Sequence, residues 1–364
     1  MYGIDRADVV RDHLDLILKF VRPTDGLVPR YLDSTDTTWR YIDLLFRRRP
    51  RITDRIKANY TGGGNQGQVI DSNVLVLLVA LDYVNRTGDL SWWQANESKL
   101  VQVYRHYDRF RDSDGLIVQG GGSDWQDSVR KRSGKTFYTN VLYYAATERL
   151  AIFPAFGIRW DEPSRLRQGI HRIFFPDPMV LPLAQEGQPQ VGLDGILLAF
   201  DYDFFRPGSA EAERIYRLLG RHPLWTKNNG IPGYNTYPDY PSGWIDFKPK
   251  LSGLGHYHDS IYWSWLMGLS AKLAYRMGDF TTGDRVLSLL ESLAIRDGNV
   301  SEIYRNEPPF KRFVNFVYRS EAPFSWGIGM TLDAIETQKS VEWRKGYVEG
   351  PEPSVLDYPF EVWR

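Results

Sequence analysis

The sequence predicts an all-α protein whose helical hairpins close into a ring. Three observations carry that expectation. Apolar residues recur at helical spacing through most of the chain, as in RADVVRDHLDLILKFV at 6–21, where Val9, Val10, Leu14, Ile17 and Leu18 share one face. Long glycine- and proline-rich loops fall between alternate helices, with short turns between the others. Long alternating strands are missing. Such hairpins make an (α/α) toroid, with apolar helices inside, amphipathic helices outside and any site at the mouth where the long loops gather.

The elements follow in order. Residues 68–86 include VLVLLVALDYV and read as a largely buried helix that stops at Thr87-Gly88-Asp89. Further helices are expected at 91–111, 136–152, 162–173, 194–205 and 209–220, then a clear pair at 259–277 and 281–296, and a last one at 323–339. The largest loops are 22–66, 113–135, 221–257 and 297–322, and the apolar pieces 179–184 and 190–193 are candidate strands. Two short turns, LDYVNRTGDLSWW and LAYRMGDFTTGD, read alike and give a weak helix-turn-helix repeat. No linker splits residues 1–364, so a single domain is expected.

Composition narrows the function. Lys+Arg and Asp+Glu both number 45, so nothing draws the chain to nucleic acid or an anionic membrane. The chain has no cysteine, which excludes disulfides and thiolate metal sites. The start MYGIDRADVVRDH lacks the apolar core of a signal peptide, and no apolar run is long enough to span a membrane, so a cytoplasmic location is expected. Aromatic residues make up 14% of the chain, which suits a large core and also stacking on flat sugar faces.

Four stretches could carry chemistry. SDWQDS at 123–128 places Asp124 and Asp127 around Trp125 after three glycines. A carboxyl beside an indole in a partly dry cleft gains the raised pKa a general acid needs, although a solvated loop would look the same. NVSEIYRNEPPF puts Glu302 after a helix and a Gly298-Asn299 turn, where an ordinary surface acid would also fit. In GQVIDSNVLVLL, Asp71 starts the buried helix, either as an acid favoured by the helix dipole or as an acceptor for sugar hydroxyls. GLGHYHDSIYWSWLMGL brings Tyr262, Trp263 and Trp265 into a helix, as a stacking platform or as core. Its His256 and His258 have H-x-H spacing, but His is scarce and Cys absent, so no metal and no cofactor are expected. The glycine cluster YTGGGNQG at 60–67 lacks the strand and spacing of a dinucleotide fingerprint.

Together these segments resemble the (α/α)6-barrel glycoside hydrolases, the six-hairpin group that includes glycogen-debranching glucosidases, neutral invertases, trehalases and mannosylglycerate hydrolases. QVIDSNVLVLLVALDYVNRTGD, DSDGLI with SDWQDS, YTNVLYYAATERLA, HDSIYWSWLMGLSAKLAYRMGD, VSEIY and EAPFSWGIGMTLDAI match the family's segments in order over about residues 10–337. The resemblance implies Asp127, not Asp124, as general acid and Glu302 as general base. It implies inversion and an α-linked glucoside or related oligosaccharide as substrate. Asp71, Asp124, Trp125, Tyr262, Trp263 and Trp326 would bind that substrate. Two departures stand out. Ala322-Pro323-Phe324-Ser325-Trp326 replaces the family's Gln-x-Trp-Ser, and the opening family helix is missing. A ring short of its first helix or helices leaves several expectations open: a compact ring, one part of a longer or split protein, or completion by oligomerisation or a partner chain. Two other readings stay open: a non-catalytic carbohydrate-binding toroid, and a sugar epimerase or lyase on a similar ring.

Overall fold

The computed structural model describes residues 6–35, 51–62 and 68–346. Each of the ten expected helical spans is helical there. The long helices are α1 (Ala7–Lys19), α2 (Asp71–Thr87), α3 (Leu90–Arg105), α4 (Phe137–Leu150) and α5 (Glu162–Phe174). They continue with α6 (Leu193–Asp201), α7 (Ala210–Leu219), α8 (Ser264–Arg276), α9 (Phe280–Asp297) and α10 (Ser325–Gly346). Two short helical pieces, Pro223–Gly230 and Phe247–Leu251, lie in the loop before α8.

The helices sort into two layers by apolar pattern. α2, α4, α6 and α8 are buried on nearly every face and pack side by side in that order, as helices apolar all round must. α1, α3, α5, α7 and α9 bury one stripe each, for example Leu166, Ile170 and Phe174 of α5. Asp89, Ser209 and Asp279 cap the outer helices that follow short turns, by accepting from the N–H groups of Trp92, Ala212 and Thr282. α10 lies along α8, close enough that a Cβ on Gly268 would stand 2.7 Å from the Met330 carbonyl carbon. At the end away from the mouth, Lys272 of α8 bridges Asp201 of α6 and Asp333 of α10 at 2.5 and 2.6 Å. Burial works against its charge, but the two carboxylates prevail and push Lys272 up to about 12.

All long connections precede the inner helices and α10, so they gather at the inner helices' N-terminal ends. Short β ladders stitch them together. β1 (Tyr31–Thr35) and β2 (Ile52–Asn59) form an antiparallel hairpin before α2. β3 (Val191–Gly192) pairs with β4 (Thr236–Tyr237), and β5 (Tyr262–Trp263) with β6 (Ile303–Tyr304), each joining two neighbouring loops. The apolar piece at 190–193 therefore does contain a strand, whereas 179–184 is irregular: its backbone bonds go singly to Asp177, Phe174, Gln190 and Phe137 and form no ladder. A strand also precedes the glycine cluster, contrary to expectation, but β2 pairs with β1 in an antiparallel hairpin rather than in a βαβ unit. Residues 63–67 of that cluster lie outside the described residues. No helix among the described residues is long and apolar enough to cross a membrane.

Candidate active site

The loop at 113–135 is built to hold one tryptophan. Its glycines serve the loop itself: a Cβ on Gly121 would fall 1.9 Å from the Arg130 carbonyl oxygen, so only glycine lets the chain cross there. Below that crossing, Arg132 lies fully buried between Asp124 and Asp194, at 2.7 and 3.1 Å. Asp124 also accepts from Gln119 at 3.0 Å and from the Gln126 N–H at 3.0 Å. Asp194, at the start of α6, accepts from the Trp125 indole N–H at 2.8 Å and from Gln126 at 2.9 Å. A buried charge needs such complete partnering, and here the partnering fixes the orientation of Trp125.

Trp125 then meets three other tryptophans. Its ring stands edge-to-face on Trp263 and Trp265 at 5.1 and 5.0 Å, and on Trp326 at 6.2 Å. Trp265 and Trp326 stack at 4.2 Å. Trp125 and Trp326 are half-buried, and Trp263 is buried behind them. The sequence-expected trio of Trp125, Trp263 and Trp326 is thus one cluster, drawn from the 113–135 loop, strand β5 and the first turn of α10.

The two expected catalytic carboxylates are joined by one dipeptide. His258 Nε2 lies 3.3 Å from Asp127 Oδ1, and Arg30 at the foot of the β1–β2 hairpin pairs with Asp127 Oδ2. The preceding residue, Tyr257, donates its hydroxyl to Glu302 Oε1. The Tyr318 hydroxyl donates to Glu302 Oε2, and the Glu321 N–H lies 3.4 Å from the same oxygen. Burial pushes His258 down to about 3, so its ring is neutral. Its Nδ1 has no partner, so we assign the proton to Nε2, where it donates to Asp127. Stacking on Trp263 at 5.7 Å holds the ring in place.

Asp71, the first residue of α2, is buried nearby. Burial and the negative charge of Asp124 raise it to about 7, against the opposing pull of Arg30 and the hydrogen bond from Tyr138 at 3.3 Å. The helix dipole would favour its charged form, yet desolvation outweighs it here.

Other expected site residues lie elsewhere. The Asp124 side chain is wholly buried in the Arg132 ion pair, so it offers no surface to a sugar. Tyr262 is also buried; its hydroxyl donates to the Ile231 carbonyl at 2.8 Å and its ring packs on Phe310. Packing and internal hydrogen bonds absorb both, where the sequence pattern suggested ligand contact. The two histidines of the H-x-H pair diverge. His258 faces Asp127, whereas His256 lies 3.1 Å from Asp259 and 3.8 Å from Asp239. Sequence reasoning missed Arg30, Tyr257 and Tyr318, which sit on irregular segments far from the acids they touch. The alternation of apolar and polar residues carries no signal for them.

Comparison with known proteins places the fold. No family model and no curated protein matches the chain. Among solved structures, it is similar to a glycosidase with one glutamate replaced by alanine, in complex with glucose. That match has 14% identity and a TM-score of 0.61 over 93% of this chain and 85% of the other. It is also similar to a rhamnosidase from Klebsiella oxytoca with rhamnose bound, at 14% identity and a TM-score of 0.56. There the match covers 92% of this chain but only 55% of the rhamnosidase. A conserved protein from Thermus thermophilus, described as uncharacterized, matches at 13% identity and a TM-score of 0.61, over 90% of this chain and 88% of that one. At such identities the likeness is one of fold: the chain is an all-α toroid of the kind these glycosidases have.

Proposed function

We propose that the chain is a glycoside hydrolase that inverts the anomeric centre. The observation that carries this reading is the Tyr257-His258 dipeptide, which touches Asp127 with one residue and Glu302 with the other. Asp127 gives its proton to the glycosidic oxygen as the bond from that oxygen to the anomeric carbon breaks, and the bonding pair stays on the oxygen. Glu302 takes a proton from a water whose oxygen bonds to the same carbon from the opposite face. Carboxyls doing this work stand roughly 6.5–9.5 Å apart, which leaves room for the water. Solvent then returns a proton to Asp127 and takes one from Glu302.

Arg30 sets a condition on this cycle. A guanidinium beside a carboxyl favours its charged form, and an acid catalyst must carry its proton. Productive binding therefore requires the incoming sugar to draw Arg30 away from Asp127. The half-buried faces of Trp125 and Trp326 would stack on the sugar ring, and Asp71 would receive a hydroxyl. The glucose and rhamnose held by two of the similar structures support a neutral glycoside as substrate class. An α-linked glucoside or a related oligosaccharide is the substrate of this reading.

One observation favours a second reading. The Arg30–Asp127 pair, left undisturbed, suits a toroid that binds carbohydrate without cleaving it. The test is monosaccharide release from a panel of α-linked di- and oligosaccharides by wild type and Glu302→Gln. Release by the wild type alone supports the hydrolase. Binding of those sugars by calorimetry without release by either protein would favour the second reading.

A further inference from the structure

We propose that Tyr257 and Tyr318 are positioning residues that clamp Glu302 from two different loops and keep its carboxylate aimed. This inference rests on the reading of Glu302 as the general base. Each Glu302 oxygen takes one phenol hydroxyl, Oε1 from Tyr257 and Oε2 from Tyr318. The two phenol oxygens themselves lie 3.4 Å apart. Each tyrosine is pinned through its backbone. The Tyr257 carbonyl accepts from the Trp263 indole at 2.8 Å, and the Tyr318 N–H donates to Asn315 at 2.7 Å. Glu302 is fixed in turn through its backbone: its carbonyl accepts from the Ser264 N–H at 3.1 Å, and its own N–H donates to the Glu321 carbonyl at 2.8 Å.

The choice of phenols has a chemical reason. A guanidinium at this position would hold the carboxylate so firmly ionised that it would be a poor acceptor for the proton of water. Bare burial would do the reverse and leave it protonated. Two neutral donors hold the carboxylate without adding charge, and Oε1, which takes the Tyr257 hydroxyl, keeps a second lone pair for the water. Two further polar groups near Glu302 are His258, neutral beside Asp127, and Glu321, whose N–H points at Oε2. Neither is a cation that could replace the phenols. Burial and the charge of Glu302 push both Tyr257 and Tyr318 upward, so both stay protonated and donating across the working range.

The test observes the Glu302 carboxyl directly. Carboxyl carbon-13 NMR of the whole chain, with glutamate labelled, follows the resonance that disappears in Glu302→Gln. In Tyr318→Phe and in Tyr257→Phe, that resonance should change its chemical shift as a hydrogen bond is lost, and kcat should fall about tenfold with KM unchanged. Should one variant fail to fold, the other gives the same reading. An unchanged Glu302 resonance in a variant that melts like wild type overturns the clamp, as does a loss of activity that appears in KM alone. If the resonance shifts but wild type cleaves no glycoside, the clamp stands and the assignment of Glu302 as catalytic base falls.

Discussion

Asp127 and Glu302 face the same mouth but are held by opposite means. Asp127 takes a cation, Arg30, on one oxygen and a neutral imidazole on the other, with its side chain 31% exposed. Glu302 is buried and takes two neutral phenols. The difference teaches what each carboxyl is free to do. On the proposed roles, the phenols aim Glu302 without bringing a charge to it, so its half of the site needs no rearrangement. The Arg30 ion pair occupies Asp127, so on the same proposal the acid half becomes competent only when that pair opens. On those roles one half of the site is preset and the other is conditional.

Several experiments break or sharpen this contrast. The largest effect is expected from Asp127→Asn, which should lower kcat by roughly 10²–10⁴-fold while leaving the melting temperature close to wild type. A large loss of folded protein would instead make Asp127 a structural partner of Arg30. Next is Arg132→Met. It strands Asp124 and Asp194 as buried charges without a cation, and urea unfolding should register a loss of about 3–5 kcal/mol. If stability were unchanged, the buried network would not be what orients Trp125.

Asp71 gives a stability effect with a definite sign. An ordinary aspartate titrates near 3.9, and Asp71 is raised to about 7 in the folded chain. The folded state thus keeps a proton that the unfolded state has lost. Its contribution is fully present below about pH 4 and is lost as pH rises towards 7, by up to about 4 kcal/mol. Asp71→Asn should flatten that decline between urea midpoints taken at pH 4.5 and pH 8. An equal decline in the variant would assign it to other groups.

The smallest expected effect tests the conditional half. On the proposed mechanism activity needs a proton on Asp127, so it falls as that proton is lost at higher pH. Removing the nearby cation in Arg30→Met should then move this alkaline limb upward. An alkaline limb that stays in place would mean that Arg30 already leaves Asp127 before the sugar arrives.

The helices were legible because burial on all faces leaves a continuous apolar run, as in α2 and α4, and because Gly88 and Asp89 mark a stop and a start. The roles proposed for Asp127 and Glu302 rest, in the sequence, on no more than two short acidic stretches in the right order. What surrounds them was not legible. Arg30, Tyr257 and Tyr318 come from loops whose courses are set by ladders two residues long, such as Tyr262–Trp263 against Ile303–Tyr304, too short to leave a period in the sequence. Asp124 and Tyr262 looked like ligand contacts for the converse reason. A polar or aromatic residue beside a candidate acid reads the same whether its partner is a sugar or, as here, Arg132 or the Ile231 carbonyl.

The most direct test of the central claim is the stereochemistry of the first product. Proton NMR would follow the anomer released from an α-linked glucoside in the first minutes of reaction, with Asp127→Asn beside wild type. The expected result is the β-anomer first, formed by wild type and not by the variant. Early appearance of the α-anomer would contradict an inverting pair built from Asp127 and Glu302.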